Sequence, residues 1–190
     1  MTNELFYDNN LNIVDYNLNY PNKDLTLFFD KAKKENIFNN ISFDDIMKKP
    51  KSKLFLVYFK SDVIAMSTTH DFSEYYKDTW RVASRIATLK EFRNKGFSHR
   101  RVNKNFTGGV SGILSKVIPL QVKYAQLHGA KQFYFTTNKI KTQTNSISDR
   151  VDKLLNKVKN IDPRFSFIEE RIIYHTVQSV WKLNSLDLKL

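Results

Sequence analysis

Apolar and polar positions along this chain fall into blocks of two periods, and the blocks predict its elements. Residues 11–19, LNIVDYNLN, read as a first strand. From residue 25 the period changes: Leu25, Phe28, Phe29 and Ala32 share one helical face, with Asp24 as the N-cap. Ser42 with Asp45 resembles a capping box, and Pro50 closes the short second helix it would start. The apolar runs Leu54–Phe59 and Val63–Thr69 flank Lys60-Ser61-Asp62, which predicts a hairpin, and a further strand runs through Trp80–Leu89. Helical spacing returns at Val110, Ile113, Leu114, Val117, Leu120, Tyr124 and Leu127, with Gly129 as the stop. Pro119 lacks an N–H and crowds the preceding turn, so the expectation is a split there, with residues 99–118 a separate segment. The strand KQFYFTTN follows, then a helix capped by Ser148 with Val151, Leu154, Leu155 and Val158 on one side. Two closing strands are predicted around Arg164–Ile168 and Ile172–Leu183.

The predicted order is β-α-α-β-β-β-α-β-α-β-β. Only the central strand–helix–strand unit demands a parallel crossover, and the other connections suit antiparallel neighbours. The expected fold class is therefore α/β (α+β), a mixed and mostly antiparallel sheet with helices on both faces. No repeat, low-complexity tract or Pro/Gly-rich linker divides residues 1–190, so a single domain is expected.

Composition narrows the chemistry. The 41% apolar content with 15 Phe and 9 Tyr excludes a disordered chain. There is no cysteine, which removes disulfides, thiolate metal sites and a cysteine nucleophile. The four histidines, His70, His99, His128 and His175, lack metal-ligand spacing, so no metal site is expected. MTNELFYDNN has neither the basic nor the apolar part of a signal peptide, and Leu54–Phe59 is too short to cross a bilayer; a soluble, cytoplasmic protein is expected. Net charge is +12, which suits an anionic partner, although a chain rich in Lys, Asn and Ile also fits an AT-rich genome.

The charge is densest just after the Trp80–Leu89 strand. Lys90, Arg93, Lys95, Arg100, Arg101 and Lys104 face a single acid, Glu91. A strand, a turn and a helix start bring N–H groups to the positive end of a helix dipole, where phosphate oxygens bind, and a glycine lets them reach the main chain. Arg93, Lys95 and Gly96 supply those features.

IATLKEFRNKGFS resembles the cofactor strand and loop of the GNAT superfamily of N-acetyltransferases, with Arg93-Asn94-Lys95-Gly96-Phe97-Ser98 on its Arg/Gln-x-x-Gly-x-Gly/Ala motif. Ser98 replaces the usual Gly or Ala. The resemblance implies that this loop holds the pyrophosphate of acetyl-CoA, with Arg100, Arg101 and Lys104 beside it. It implies that the main chain of Ile86, Ala87 and Thr88 meets the acetyl and pantetheine portion, and that Asn138, ending the next strand, contacts the cofactor. The implied activity is direct acetyl transfer from acetyl-CoA to the amine of a small molecule or protein. A nucleic-acid-directed member of the same fold is the alternative partner class.

Three departures accompany the resemblance. Ser98 to Lys131 is too long for one short helix, and counting back from Gly129 makes Thr107-Gly108-Gly109-Val110-Ser111-Gly112 a rival phosphate loop. The family's tyrosine after its last helix is missing from LLNKVKN, and Trp80–Leu89 contains no glutamate base. Tyr174, on the closing strands, is the candidate replacement acid; His70, ending a strand, and His175, within one, are placed to line the cleft, and Tyr174 and His70 are the candidate catalytic residues. Trp80 and Trp181 are expected to pack in the core, and His99 and His128 to be structural or solvated.

Overall fold

A computed structural model describes residues 11–16, 23–37, 44–45, 48–92, 112–138, 155–156 and 165–184. Seven strands lie among them: β1 (Leu11–Tyr16), β2 (Lys53–Phe59), β3 (Asp62–Asp71), β4 (Thr79–Thr88), β5 (Gln132–Asn138), β6 (Phe165–Ile173) and β7 (Thr176–Leu183). They form one sheet in the order β1-β2-β3-β4-β5-β7-β6. All neighbours are antiparallel except β4 and β5, the pair joined through the long helix α2 (Gly112–Leu127). The mixed, mostly antiparallel sheet predicted from the sequence is the one observed.

Alternation along β2 decides which helix covers which face. Leu54 and Leu56 pack with Leu25, Phe28, Phe29 and Ala32 of helix α1 (Lys23–Lys34), while Phe55 and Val57 pack with Val117 of α2. The four positions predicted to share the α1 face are the four it buries. Asp24 lies inside its first turn rather than at the cap, where its carboxylate still meets the positive end of the helix. Of the helices predicted after Ser42 and Ser148, only residues 44–45 and 155–156 are described as helical.

Pro119 does not split its helix. α2 runs unbroken from Gly112 to Leu127 with Pro119 inside it. The proline forfeits one main-chain bond, but Val117 before it and Gln121, Val122 and Ala125 after it are all buried against the sheet. Burial of both halves on one surface outweighs the missing bond. The helix then ends as predicted. Gly129 has φ +87°, its N–H reaches the Gln126 carbonyl at 3.0 Å, and the Ala130 N–H reaches the Ala125 carbonyl at 3.0 Å. That is a Schellman cap.

The closing hairpin differs from its prediction. β6 continues to Ile173, and the two-residue turn is Tyr174-His175, with φ 47° and 65°. Left-handed values at both positions define the turn that matches the twist of a two-residue hairpin, a place normally given to Asn-Gly. Tyr174 and His175 are therefore turn residues, not strand residues.

Gly129→Ala tests the cap. Nothing lies within 4 Å of a Cβ at this position, so the cost is confined to the backbone. Urea unfolding is expected to show a loss of about 1 kcal/mol.

Candidate functional site

β4 is the least regular strand of the sheet. Ala83 and Arg85 have φ 50° and 49°, values that L residues in a strand rarely adopt. Register with β3 slips twice across this stretch, between the pairs Met66–Ala87, Thr68–Ser84 and His70–Arg81. Distortion of this kind removes ladder bonds, and buried main-chain groups need other partners. Side chains supply them. The Thr69 hydroxyl donates to the Arg81 carbonyl and the Thr68 hydroxyl to the Ser84 carbonyl, both at 2.8 Å. Gln121, fully buried on α2, accepts from the Ala83 N–H at 2.8 Å and donates to the Ser67 hydroxyl at 3.0 Å.

On its other side β4 meets β5 only briefly. The parallel ladder pairs Thr79, Trp80 and Arg81 with Gln132, Phe133 and Tyr134, although β4 runs on to Thr88 and β5 to Asn138. The two strands are stitched at their starts and not along their later halves. Ile86, Ala87 and Thr88 lie on that later half of β4, and Asn138 ends β5 in register with Gln178 of β7. The predicted loop Arg93, Asn94, Lys95, Gly96, Phe97 and Ser98 lies outside the described residues, as do Arg100, Arg101, Lys104 and 107–111 of the rival loop. Gly112, the last residue of that rival, is the first of α2.

At the stitched end, residues distant in sequence converge. His70, 1% exposed near the end of β3, is paired with Arg81 of β4. The Tyr174 hydroxyl lies 3.4 Å from His70 Nε2, so the structure brings together two candidate catalytic residues 104 positions apart in the chain. An aromatic cluster holds the hairpin turn there. Tyr75 accepts from the Tyr174 N–H at 3.2 Å, and its ring meets that of Tyr174 edge-on with centroids 5.4 Å apart. Tyr76 stacks on Tyr134 at 4.8 Å and donates to Glu169 at 2.6 Å, while Arg171 lies over the Tyr76 ring at 5.2 Å. The Tyr76 phenol is pushed up to about 12, by burial first and then by the bond to Glu169.

The electrostatics of this end are one-sided. Lys49 Nζ sits 3.2 Å from the centroid of the Tyr174 ring. Burial holds His70 well below the usual imidazole range, and the charges of Arg81, Lys49 and Arg85 add to it; only Asp71 works the other way. His70 is therefore neutral at physiological pH. Burial also raises the Tyr174 phenol, and burial followed by Arg85 draws Arg81 down to about 10.

Among the other residues singled out in the sequence, Trp80 and Trp181 are buried core side chains. His128 Nδ1 lies 2.8 Å from the Tyr124 carbonyl at the end of α2, a capping role. His175 is exposed in the hairpin turn, and His99 lies outside the described residues. No group of three or more metal-ligating side chains occurs among the described residues, and no helix among them is long and apolar enough to cross a membrane.

Gln121, Thr68 and Thr69 were not singled out by the sequence reading. Their signal is present: Ser67-Thr68-Thr69-His70 is a run of four polar residues inside a strand, and all four are buried.

The fold has close parallels among solved structures. An acyl-CoA N-acyltransferase from Pseudomonas aeruginosa aligns over 92% of this chain and 99% of its own, with a TM-score of 0.55 at 7% identity. An acetyltransferase from Streptococcus agalactiae aligns over 93% and 99%, with a TM-score of 0.54 at 11% identity. A Bacillus subtilis acetyltransferase in complex with CoA aligns over 93% and 99%, with a TM-score of 0.50 at 11% identity. The GNAT domain of S. lividans PAT aligns over 90% and 89%, with a TM-score of 0.54 at 10% identity, so the chain has the GNAT fold. No protein-family model and no curated protein sequence matches it.

Two measurements check this arrangement. Gln121→Leu removes a donor and an acceptor from buried partners, and a loss of about 2 kcal/mol in urea unfolding is expected. For His70, the native pKa lies below the unfolded value of 6.5, so the unfolded chain binds the extra proton first. Its contribution to stability is complete above pH 6.5 and is lost as pH falls through the native pKa. His70→Asn is expected to flatten the fall of the urea midpoint on acidification from pH 7.

Proposed function

We propose that the protein is an acyl-CoA-dependent N-acyltransferase that moves an acetyl group from acetyl-CoA to an amine. The observation that carries this reading is the parting of β4 from β5 beyond Arg81 and Tyr134, next to a strand whose irregular main chain is held by side chains. A thioester arm fits between two strands that are stitched at one end only. The CoA complex of the B. subtilis protein, which shares this sheet, supports the same cofactor class.

In this reading the main chain of Ile86, Ala87 and Thr88 meets the pantetheine, and Asn138 closes on it from β5. The pyrophosphate sits at the positive end of α2, against the run 93–98 or the run 107–112. That α2 begins at Gly112 favours the second run, which directly precedes its amide end. Acetyl-CoA supplies the activated thioester carbonyl. His70, neutral and buried, takes a proton from the attacking amine, and Tyr174 donates its hydroxyl proton to the departing thiolate. Their 3.4 Å contact lets the proton gained by His70 replenish Tyr174. This pair does the work of the strand glutamate and helix tyrosine that the chain lacks. The acceptor in this reading is a small molecule, received beside the aromatic cluster that packs the β6–β7 turn on residues 72–76. The expected location is the cytoplasm, where acetyl-CoA is made.

Calorimetry with acetyl-CoA tests the donor, and the absence of binding would overturn the assignment. Gly109→Asp is expected to weaken acetyl-CoA binding more than Gly96→Asp, since it sets a carboxylate closer to the α2 terminus; the reverse order returns the site to 93–98. Tyr174→Phe is expected to lower kcat about a hundredfold with little change in KM for acetyl-CoA. Unchanged kcat removes Tyr174 from the chemistry.

A further inference from the structure

Lys49 and Arg81 lie beside Tyr174 and His70, and Arg85, which is exposed, acts on both through its charge. Lys49 lies on the Tyr174 ring, Arg81 is in register with His70, and Arg85 follows on the irregular part of β4. Each of the three acts on His70, and Arg81 and Arg85 act on Lys49. Two carboxylates are near. Asp71 is engaged by Lys51 at 3.1 Å and by the Ser73 N–H at 2.9 Å, and Glu74 acts on Lys49 and Tyr174 from an exposed position. No ion pair to Lys49, Arg81 or Arg85 occurs among the described residues. Arg81 is partly buried, and its Nε is shut from solvent with no hydrogen-bond partner there.

A partly buried guanidinium with an unpartnered Nε and no counter-ion is costly, because it has lost part of its hydration with nothing in return. Such a group persists where a ligand completes it. Arg is also the side chain whose planar fork fits the oxygens of a carboxylate or phosphate. The cluster is separate from the proposed pyrophosphate end. Arg81 precedes Thr88 by seven residues of β4, a span of roughly 20 Å along an extended strand.

We propose that Lys49, Arg81 and Arg85 bind a carboxylate or phosphate group carried by the acceptor, so that the substrate is a small anionic amine. This rests on the acyltransferase reading for its chemistry but not for its binding test. In that reading the donor runs along the later half of β4 with only its thioester at the stitched end, so an anion bound beside His70 and Tyr174 comes from the acceptor. The anion fixes the acceptor with its amine toward His70. The same three charges repel a polycationic acceptor, which arrives with several ammonium groups and no anion to offer.

The test has a binding arm and a catalytic arm on the full chain. In the binding arm, inorganic phosphate is titrated while the His70 imidazole is followed by NMR. A bound anion offsets the neighbouring cations, so a saturable rise in the His70 pKa is expected, and Lys49→Met or Arg85→Gln should weaken it. Arg81→Gln is the third variant, used if its fold is intact by circular dichroism. A His70 signal indifferent to phosphate overturns the proposal even if acetyl-CoA binds normally, which keeps this failure distinct from failure of the acyltransferase reading.

In the catalytic arm, CoA release from acetyl-CoA is compared between glucosamine and glucosamine 6-phosphate, between phenethylamine and phenylalanine, and with spermidine and kanamycin. The anionic member of a pair is expected to have kcat/KM about tenfold higher or more, and each charge variant should shrink that ratio. Preference for the neutral or polycationic amines overturns the proposal. A preference for succinyl-CoA over acetyl-CoA with a neutral amine, indifferent to acceptor charge, would also overturn it by moving the anion to the acyl group.

Discussion

The grip of Gln121 on the distorted middle of β4 is the interaction on which the site depends. Left-handed backbone at Ala83 and Arg85 is expensive, about 1–3 kcal/mol for each residue, and it strips the strand of ladder bonds. Without replacement partners a buried strand would relax to regular geometry and carry its ladder onward. Gln121 answers the Ala83 N–H from the helix side, and Thr68 and Thr69 answer the Ser84 and Arg81 carbonyls from β3. The strand is thereby fixed in a shape that propagates no pairing to β5 past Arg81. α2 is more than a cover for the sheet, since its buried amide sets the geometry of the strand beneath. That explains why an unbroken helix through Pro119 matters: a break there would separate Val117, packed on β2 and β3, from Gln121, bonded to β4.

A second constraint acts from the opposite side of the sheet order. The β6–β7 turn carries a Tyr and a His in left-handed conformations, where small residues are the easy choice. The strain is offset by the aromatic contacts of Tyr174 with Tyr75 and by the bond from its N–H to the Tyr75 hydroxyl. Phe72, Tyr75, Tyr76 and Tyr134 join the β3–β4 loop, β5 and the hairpin into one body. The effect is to hold a phenol against a histidine more than a hundred residues away in sequence. Backbone strain at β4 and at the turn thus falls on the two sides of the same small volume.

Much of this was legible in the sequence. Short apolar runs located β2, β3, β4 and β5, the helical spacing of Leu25, Phe28, Phe29 and Ala32 located α1 and its buried face, and Gly129 marked the end of α2. What escaped depended on tertiary partners. A proline inside an apolar helix reads as a break because its lost bond is local, whereas the burial that overrides it is not. The Tyr174-His175 turn carries no glycine or asparagine, so the reading set the break near residue 170. Ala83 and Arg85 carry no mark of a bulge, because the residues that stabilise it lie on β3 and α2. His70 and Tyr174 were each plausible alone, and only the fold puts them 3.4 Å apart.

The net charge of +12 is a poor guide to the chemistry, because charges in water are screened and weakly coupled. The basic run from Lys90 to Lys104 drew attention in the sequence because it is dense. Lys49, Arg81 and Arg85 did not, being spread over 37 positions of the chain with acids between them. Yet the second set acts on titratable groups: burial first, and then the charges of Arg81, Lys49 and Arg85, keep His70 unprotonated, and burial followed by Arg85 lowers Arg81. In the proposed reaction the charges that add to the burial of His70 also disfavour an ammonium beside it, which leaves the acceptor amine in its neutral form. A site without a carboxylate on β4 thus has a physical means of presenting a neutral nucleophile. An anion bound as proposed among the three cations offsets part of that field, so it holds the acceptor in place and draws His70 back toward its ordinary basicity while burial still disfavours the charged ring.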